Sequence, residues 1–297
     1  MIRKPLVSIC IVTYEHIEFI KKCLHNTLSQ KTTFPTEILL GEDGSTDGTR
    51  EICQAYANKH PNKIRLFLRK RADVIYIGGK PTGRYNFMQN IEAARGKYIA
   101  ICEGDDYWTD PYKLQKQVDF LEANPDYVMC FHNAEVLHQN SGQFSLFADS
   151  HFFKDTYEIE EVIGRWFIPT ASIVFRRPPD FSFPDWFTKV ASGDIALISL
   201  LANYGKVKYL DEVMAVYRKH DGGISNHHTG VKVLRERIYL LEQLNRHYNF
   251  KYEEAINREI EALISNVYKQ NNPFLLKLLK DSLKYKLSRL KRSILGQ

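Results

Sequence analysis

Residues 97–108 read Lys-Tyr-Ile-Ala-Ile-Cys-Glu-Gly-Asp-Asp-Tyr-Trp, an apolar run that stops abruptly on a cluster of carboxylates. The run from 97 to 102 has almost no polar alternation, which is how a strand buried on both faces of a parallel sheet reads. Asp105 and Asp106 are adjacent at its end. Two neighbouring carboxylates repel and resist desolvation unless a cation is present, and their hard oxygens suit Mg²⁺ or Mn²⁺. A polar turn that caps the next helix would use the same residue types. This stretch alone therefore supports a strand followed by either a metal site or a turn.

Working outward, the same alternation of elements recurs. Upstream, 6–13 is another unbroken apolar run, followed by a helical spacing of Ile17, Ile20, Leu24 and Leu28 that ends at Pro35. Residues 37–40 predict a short buried strand, 41–48 a polar loop, 49–59 a helix, 64–68 a strand and 85–95 a helix. Alternating strands and helices imply βαβ units: an α/β fold with a mainly parallel sheet flanked by helices. Ligands bind such sheets beyond the carboxyl ends of the strands. The loops 14–16, 41–47 and 103–110 at those ends are the most polar, carboxylate-rich stretches of the chain.

Downstream, Leu114, Val118 and Leu121 predict a helix that ends near Asn124-Pro125, and 128–131 a strand. Residues 132–190 are irregular and rich in Phe, Pro and Trp, suited to an acceptor wall or to plain loop. A helix is expected over 193–204, short strands over 207–210 and 215–217, and only helices after 230.

Composition sets the outer bounds. A chain of 297 residues with 44% hydrophobic and 26% charged residues has the make-up of a folded globular protein. Its length allows one large domain, or one of about 200 residues with an appendage. The five cysteines are odd in number and form no C-x-x-C pair, so reduced core thiols are expected. The first apolar run is too short for a signal peptide core, and no stretch reaches the ~18 apolar residues of a bilayer span. A reducing cytoplasm is the expected location.

The loop Gly41-Glu42-Asp43-Gly44-Ser45-Thr46-Asp47-Gly48 also follows a strand. A carboxylate there can accept a hydrogen bond from a pyrimidine N–H, with small residues letting backbone approach a nucleotide. An Asp-Gly turn before an N-capped helix accounts for it equally. In their order, on adjacent βα units, the two loops resemble family 2 glycosyltransferases of the GT-A fold. The resemblance runs over about 5–225 and includes Val-Ser-Ile-Cys-Ile-Val-Thr-Tyr at 7–14 and Ala-Arg-Gly-Lys-Tyr-Ile-Ala at 94–100.

That resemblance implies a catalytic domain over 1–225, with a nucleotide-binding half at 1–110 and an acceptor-binding half at 111–225. A C-terminal helical extension would occupy 230–297. It implies a metal-dependent, inverting transferase that moves one sugar from a nucleotide-diphosphate donor, UDP-linked by expectation, to a glycan or polyprenyl-linked acceptor in cell-surface polysaccharide assembly. Thr13, Tyr14, Glu15, Glu42 and Asp43 would lie at the nucleotide, Asp105 at ribose or sugar, and Asp106 on Mn²⁺ or Mg²⁺. Asp194, opening a helix after Ser192-Gly193, matches the position of a general base; an N-cap would look the same. In Tyr217-Arg218-Lys219-His220, Arg218 would meet the diphosphate and His220 complete the metal shell. The family's Ala-Arg-Asn run has no counterpart at 86–90, and Arg84, about a turn earlier, is the substitute cation.

Two other readings compete. A nucleotidyltransferase of similar fold would need a Gly-rich loop near the N-terminus, absent from 6–16; a non-catalytic nucleotide- or carbohydrate-binding module would have lost one of these carboxylates. The net charge of +6 is concentrated near the C-terminus. At 274–295, leucines at three and four spacings alternate with lysines and arginines, as in a helix lying on the inner face of a membrane or packed on protein, oligomer included. One basic terminal helix without a recognised motif argues against nucleic acid.

Overall fold

The computed structural model describes residues 4–223 and 231–269. The chain divides into two compact units, Met1–Asn226 and His227–Gln297.

The first unit opens with β1 (Val7–Thr13), α1 (Ile20–Leu28), β2 (Thr36–Glu42), α2 (Thr49–Lys59) and β3 (Ile64–Leu68). A small hairpin of β4 (Ile75–Ile77) and β5 (Lys80–Thr82) leads to α3 (Arg84–Ala93), β6 (Tyr98–Ile101) and β7 (Tyr107–Trp108). There follow α4 (Lys113–Ala123), β8 (Tyr127–His138), β9 (Gln143–Leu146), β10 (Thr156–Tyr157), α5 (Ile159–Val162), β11 (Val174–Arg176), α6 (Gly193–Leu201) and β12 (Lys206–Lys219).

All but β4 and β5 belong to one ten-stranded sheet, whose main path runs β10-β12-β8-β11-β6-β1-β2-β3. Pairing of β6, β1, β2 and β3 is parallel throughout, as the alternation of strands and helices predicts. The second half departs from that rule: β11 enters antiparallel between β6 and β8, and β12 then pairs parallel with β8. This is the α/β arrangement expected from the sequence, a mostly parallel sheet with flanking helices. The short strands expected at 207–210 and 215–217 are one strand, β12, broken in register at three places. Likewise β8 runs to His138, well past the expected 131. Its continuation through His132, Asn133 and Glu135 is polar, so the apolar pattern gave no signal.

Helix α3 is tied to the sheet by polar groups. Asn86 donates to the carbonyl of Gly41 at 2.8 Å, and Asn90 to those of Ile11 and Leu39 at 2.9 and 3.2 Å. Both amides are buried. A Cβ at Gly41 would fall 1.9 Å from Asn86 Oδ1, so only glycine fits beneath that amide. The five cysteines are free and buried, as expected of core thiols.

In the second unit, α7 (Val231–His247) and α8 (Glu253–Lys269) pack through Leu234, Ile238, Leu263 and Ile264. An Arg237–Glu259 ion pair at 3.2 Å joins them. No described helix is long and apolar enough to cross a membrane. The basic stretch 274–295 and the pair His227-His228 lie outside the described residues.

Candidate active site

The loops after β1, β2 and β6 meet at the carboxyl edge of the parallel strands. The first two are laced together. Glu15, with φ of 54°, donates its N–H to Ser45 Oγ at 2.9 Å and accepts from the Thr46 N–H at 2.8 Å. Asp47 accepts from the N–H groups of Ile17 and Thr49, at 3.0 and 2.9 Å. Glu42 is fully buried; it accepts from the Ser45 N–H at 2.6 Å and from Arg50 Nε at 2.5 Å. Of the two acids expected at the nucleotide, Glu42 thus has both carboxylate oxygens in bonds within and beside its loop, and Glu15 has one of its two on Thr46. Such acids resemble ligand-binding ones in sequence, since charge and position are the same.

Asp43 is different. It is 3% exposed, and its Oδ2 accepts from Arg71 Nη1 at 3.1 Å while Oδ1 has no hydrogen-bond partner. A buried acceptor left open is costly, and such sites call for an external donor. Burial is the main cause that pushes the Asp43 carboxyl up to about 6; the Arg71 charge opposes it and Glu42 adds to it. Beside it, the Thr13 hydroxyl is also buried without a partner. The Arg71 guanidinium lies 3.9 Å from the centre of the Tyr14 ring. The sequence pattern offered no way to select Arg71 from the cluster Arg65, Arg69, Lys70 and Arg71.

After β6, carboxylate oxygens of Glu103, Asp105 and Asp106 come within 4.8 Å of one another. A second group, of His16, Asp105 and His220, has the same spread, so Asp105 belongs to both. His220 Nε2 is 3.1 Å and His16 Nε2 3.7 Å from Asp105 Oδ2. Burial would raise the Asp105 carboxyl; the His220 hydrogen bond and the His16 and His220 rings outweigh it, so that it sits below the ordinary value. Asp106, 2% exposed, is held well above the ordinary value by burial and by the charges of Asp105 and Glu103. The Arg218 N–H donates to Asp106 Oδ1 at 2.9 Å, joining β12 to this loop. Burial first, then Asp105 and Asp194, push Glu103 up to about 8. Three carboxylates that are hard to ionise together form a donor set a divalent cation would relieve, because its charge favours the ionised forms.

The weight expected on Asp106 as the metal ligand is therefore shared: Asp105 is the member common to both groups. His16 and Glu103 were not singled out in the sequence. His16 reaches the site because Gly104 leaves room, a Cβ there falling 3.0 Å from His16 Nδ1 and 2.6 Å from Thr13 Oγ1.

β12 delivers Arg218 and His220. The Arg218 guanidinium lies between the rings of Phe19 and Tyr107, at 4.9 and 4.8 Å, and His220 is 4.6 Å from Phe19. Asp194 sits in the first turn of α6, where the N-cap is Ser192, so it is not the cap. Its charge acts on Glu103 and on Arg84. Arg84 does not open onto the nucleotide loops: its guanidinium is buried against the carbonyls of Phe187, Val190 and Ala191.

The chain is similar to known proteins in sequence and in fold. An uncharacterized protein of Mycobacterium tuberculosis is 37% identical over 218 residues, covering 73% of this chain and 60% of the relative, so the chain spans about three fifths of its length. Among solved structures, S. aureus TarS 1-349 in complex with UDP-GlcNAc superposes with a TM-score of 0.56 at 20% identity, over 82% of this chain and 73% of that one. The mannosyltransferase PcManGT from Pyrobaculum calidifontis, in complex with GDP-Man and Mn²⁺, gives 0.58 at 16% identity, over 98% and 83%. The sequence model of glycosyl transferase family 2 matches residues 8–177, and with more than half of its length inside that match the chain belongs to this family.

Proposed function

We propose that the protein transfers one sugar, with inversion, from a UDP-linked donor to a hydroxyl of a glycan or polyprenyl-linked acceptor in cell-surface polysaccharide assembly. One observation carries the reading: an open buried acceptor, Asp43 Oδ1, and the group Glu103, Asp105 and Asp106 stand at the ends of β2 and β6, the two parallel strands that flank β1. Asp43 would accept the nucleobase N–H, flanked by Thr13, Tyr14 and Arg71. Asp105, Asp106 and His220 would hold Mn²⁺ or Mg²⁺. The ion would supply positive charge to the diphosphate as it leaves.

The remaining steps fall to side chains. Arg218, fixed between two rings, would meet the leaving diphosphate. Asp194 would take the proton of the acceptor hydroxyl as its oxygen bonds to the anomeric carbon; a positioned weak base suffices, because the alcohol becomes acidic only as that bond forms. The basic stretch at 274–295 supports a place at the inner face of the membrane.

The experiment is a thermal-shift screen of UDP- and GDP-sugars with and without Mn²⁺. A ligand at 100 times its Kd stabilises by about 2.7 kcal/mol. We expect UDP-sugars to stabilise only with Mn²⁺, and Asp106→Ala to lose that response while its own melting stays cooperative. Stabilisation by no nucleotide sugar would sink the proposal.

A further inference from the structure

Arg84 is a buried cation in the first turn of α3, 6% exposed. Its Nη1 donates to the carbonyl of Phe187 at 2.5 Å, and its Nη2 to those of Val190 and Ala191 at 3.0 and 3.1 Å. The guanidinium lies 4.6 Å from the Phe187 ring centre. A Cβ at Gly193 would fall 2.5 Å from Nη2 and 2.6 Å from Cζ, so the plane of the group rests directly on the backbone that opens α6. Burial lowers the guanidinium to about 10, and the charge of Asp194, next in the chain after Gly193, opposes that.

A guanidinium fork can hold several carbonyls in one geometry, which a lysine cannot. Here it fixes the segment 187–191 on one side and touches the residue before Asp194 on the other. A buried cation also needs an anion nearby, and Asp194 is the acid it senses. We propose that Arg84 is a positioning residue: it reaches from α3 to brace segment 187–193, and so places Asp194 against the acceptor hydroxyl without touching the donor. This rests on Asp194 acting as the base. A base displaced by 1 Å loses about 10²-fold in rate.

The test compares Arg84→Met, Arg84→Lys, Gly193→Ala, Asp194→Asn and the double variant Arg84→Met/Asp194→Asn. Each is assayed for release of nucleoside diphosphate from the UDP- or GDP-sugar the screen selects, and for affinity for UDP with Mn²⁺. Arg84→Met is expected to lower kcat about 10²-fold with UDP affinity within about twofold of wild type. Arg84→Lys should recover only part of the rate. Gly193→Ala, which pushes on the same guanidinium from the loop side, should reproduce the loss if Arg84→Met fails to fold. In the Asp194→Asn background, Arg84→Met should cost nothing further, because residues acting as one unit are not additive. Weakened UDP affinity with kcat retained would make Arg84 a donor ligand and overturn the inference. So would independent, multiplying losses in the double variant, with the base reading left standing. Full turnover of Asp194→Asn removes the base, and the role of Arg84 with it.

Discussion

Asp43→Asn sets stability against binding at one buried atom. The carboxyl titrates at about 6 where an exposed aspartate does so at 3.8. Since the folded state holds the proton more tightly than the unfolded chain, stability falls as pH rises from about 4 to about 6, and the full penalty is present above that. At 1.36 kcal/mol per pH unit the interval corresponds to ~3 kcal/mol at neutral pH. Asparagine has no charge to desolvate and keeps a carbonyl that Arg71 can reach, so it should be the more stable residue. With about 2–4 °C per kcal/mol for a domain of this size, the variant should melt ~6–12 °C higher at pH 7.5. The gain should vanish near pH 4. Binding should move the other way, with affinity for UDP and Mn²⁺ falling about tenfold or more, because a hydrogen bond to a charged group contributes ~1.5–3 kcal/mol. Melting curves from pH 4 to 8, with isothermal titration of UDP, measure both. An Asp43→Asn variant that melts lower than wild type at pH 7.5 would show that the Arg71 pair outweighs burial. Unchanged affinity would remove Asp43 from the nucleotide site.

Other substitutions test the remaining groups. Asp194→Asn should bind UDP and Mn²⁺ normally and lose donor turnover by at least ~10²-fold, the usual contribution of a general base; normal turnover would exclude it. Lys113 is fully buried, donates to Gln117 Oε1 at 2.6 Å, and is lowered to about 7 by burial. The unfolded chain then binds more protons between about 7 and 10.5, so wild type should gain stability relative to Lys113→Met as pH rises through that window. Denaturation midpoints at pH 7 and 9.5 measure the difference, and a constant gap would refute the assignment. Gly41→Ala should destabilise by ~2 kcal/mol or more, since its Cβ meets Asn86 Oδ1 at 1.9 Å and either breaks the tie between α3 and β2 or moves the helix. Chemical denaturation reads this directly.

The amino-acid pattern determined the first half of this protein because its signals are local. A short apolar run without alternation, bounded by turn residues, reads as a strand covered on both faces, and β1, β2 and β6 appear where such runs stand. The loops after those strands follow from the order of the elements, which is why Asp43, Asp105 and Asp106 could be placed together before any coordinates. Tertiary structure decided what each charge does. Glu15 and Glu42 carry the same charge as Asp43 on the same loops, yet Glu42 gives its oxygens to Ser45 and Arg50 and Glu15 one of its own to Thr46, while Asp43 keeps a buried oxygen open. His16 and Arg71 enter the site through contacts that no spacing encodes. Arg84 faces a segment about a hundred residues downstream, away from the nucleotide loops. Long-range pairing also turned two short apolar stretches into the single strand β12, whose end brings the Arg218 N–H to Asp106 and His220 to Asp105. Periodicity reports which face of an element is dry; which partner a buried charge finds there depends on chain segments brought together only by folding.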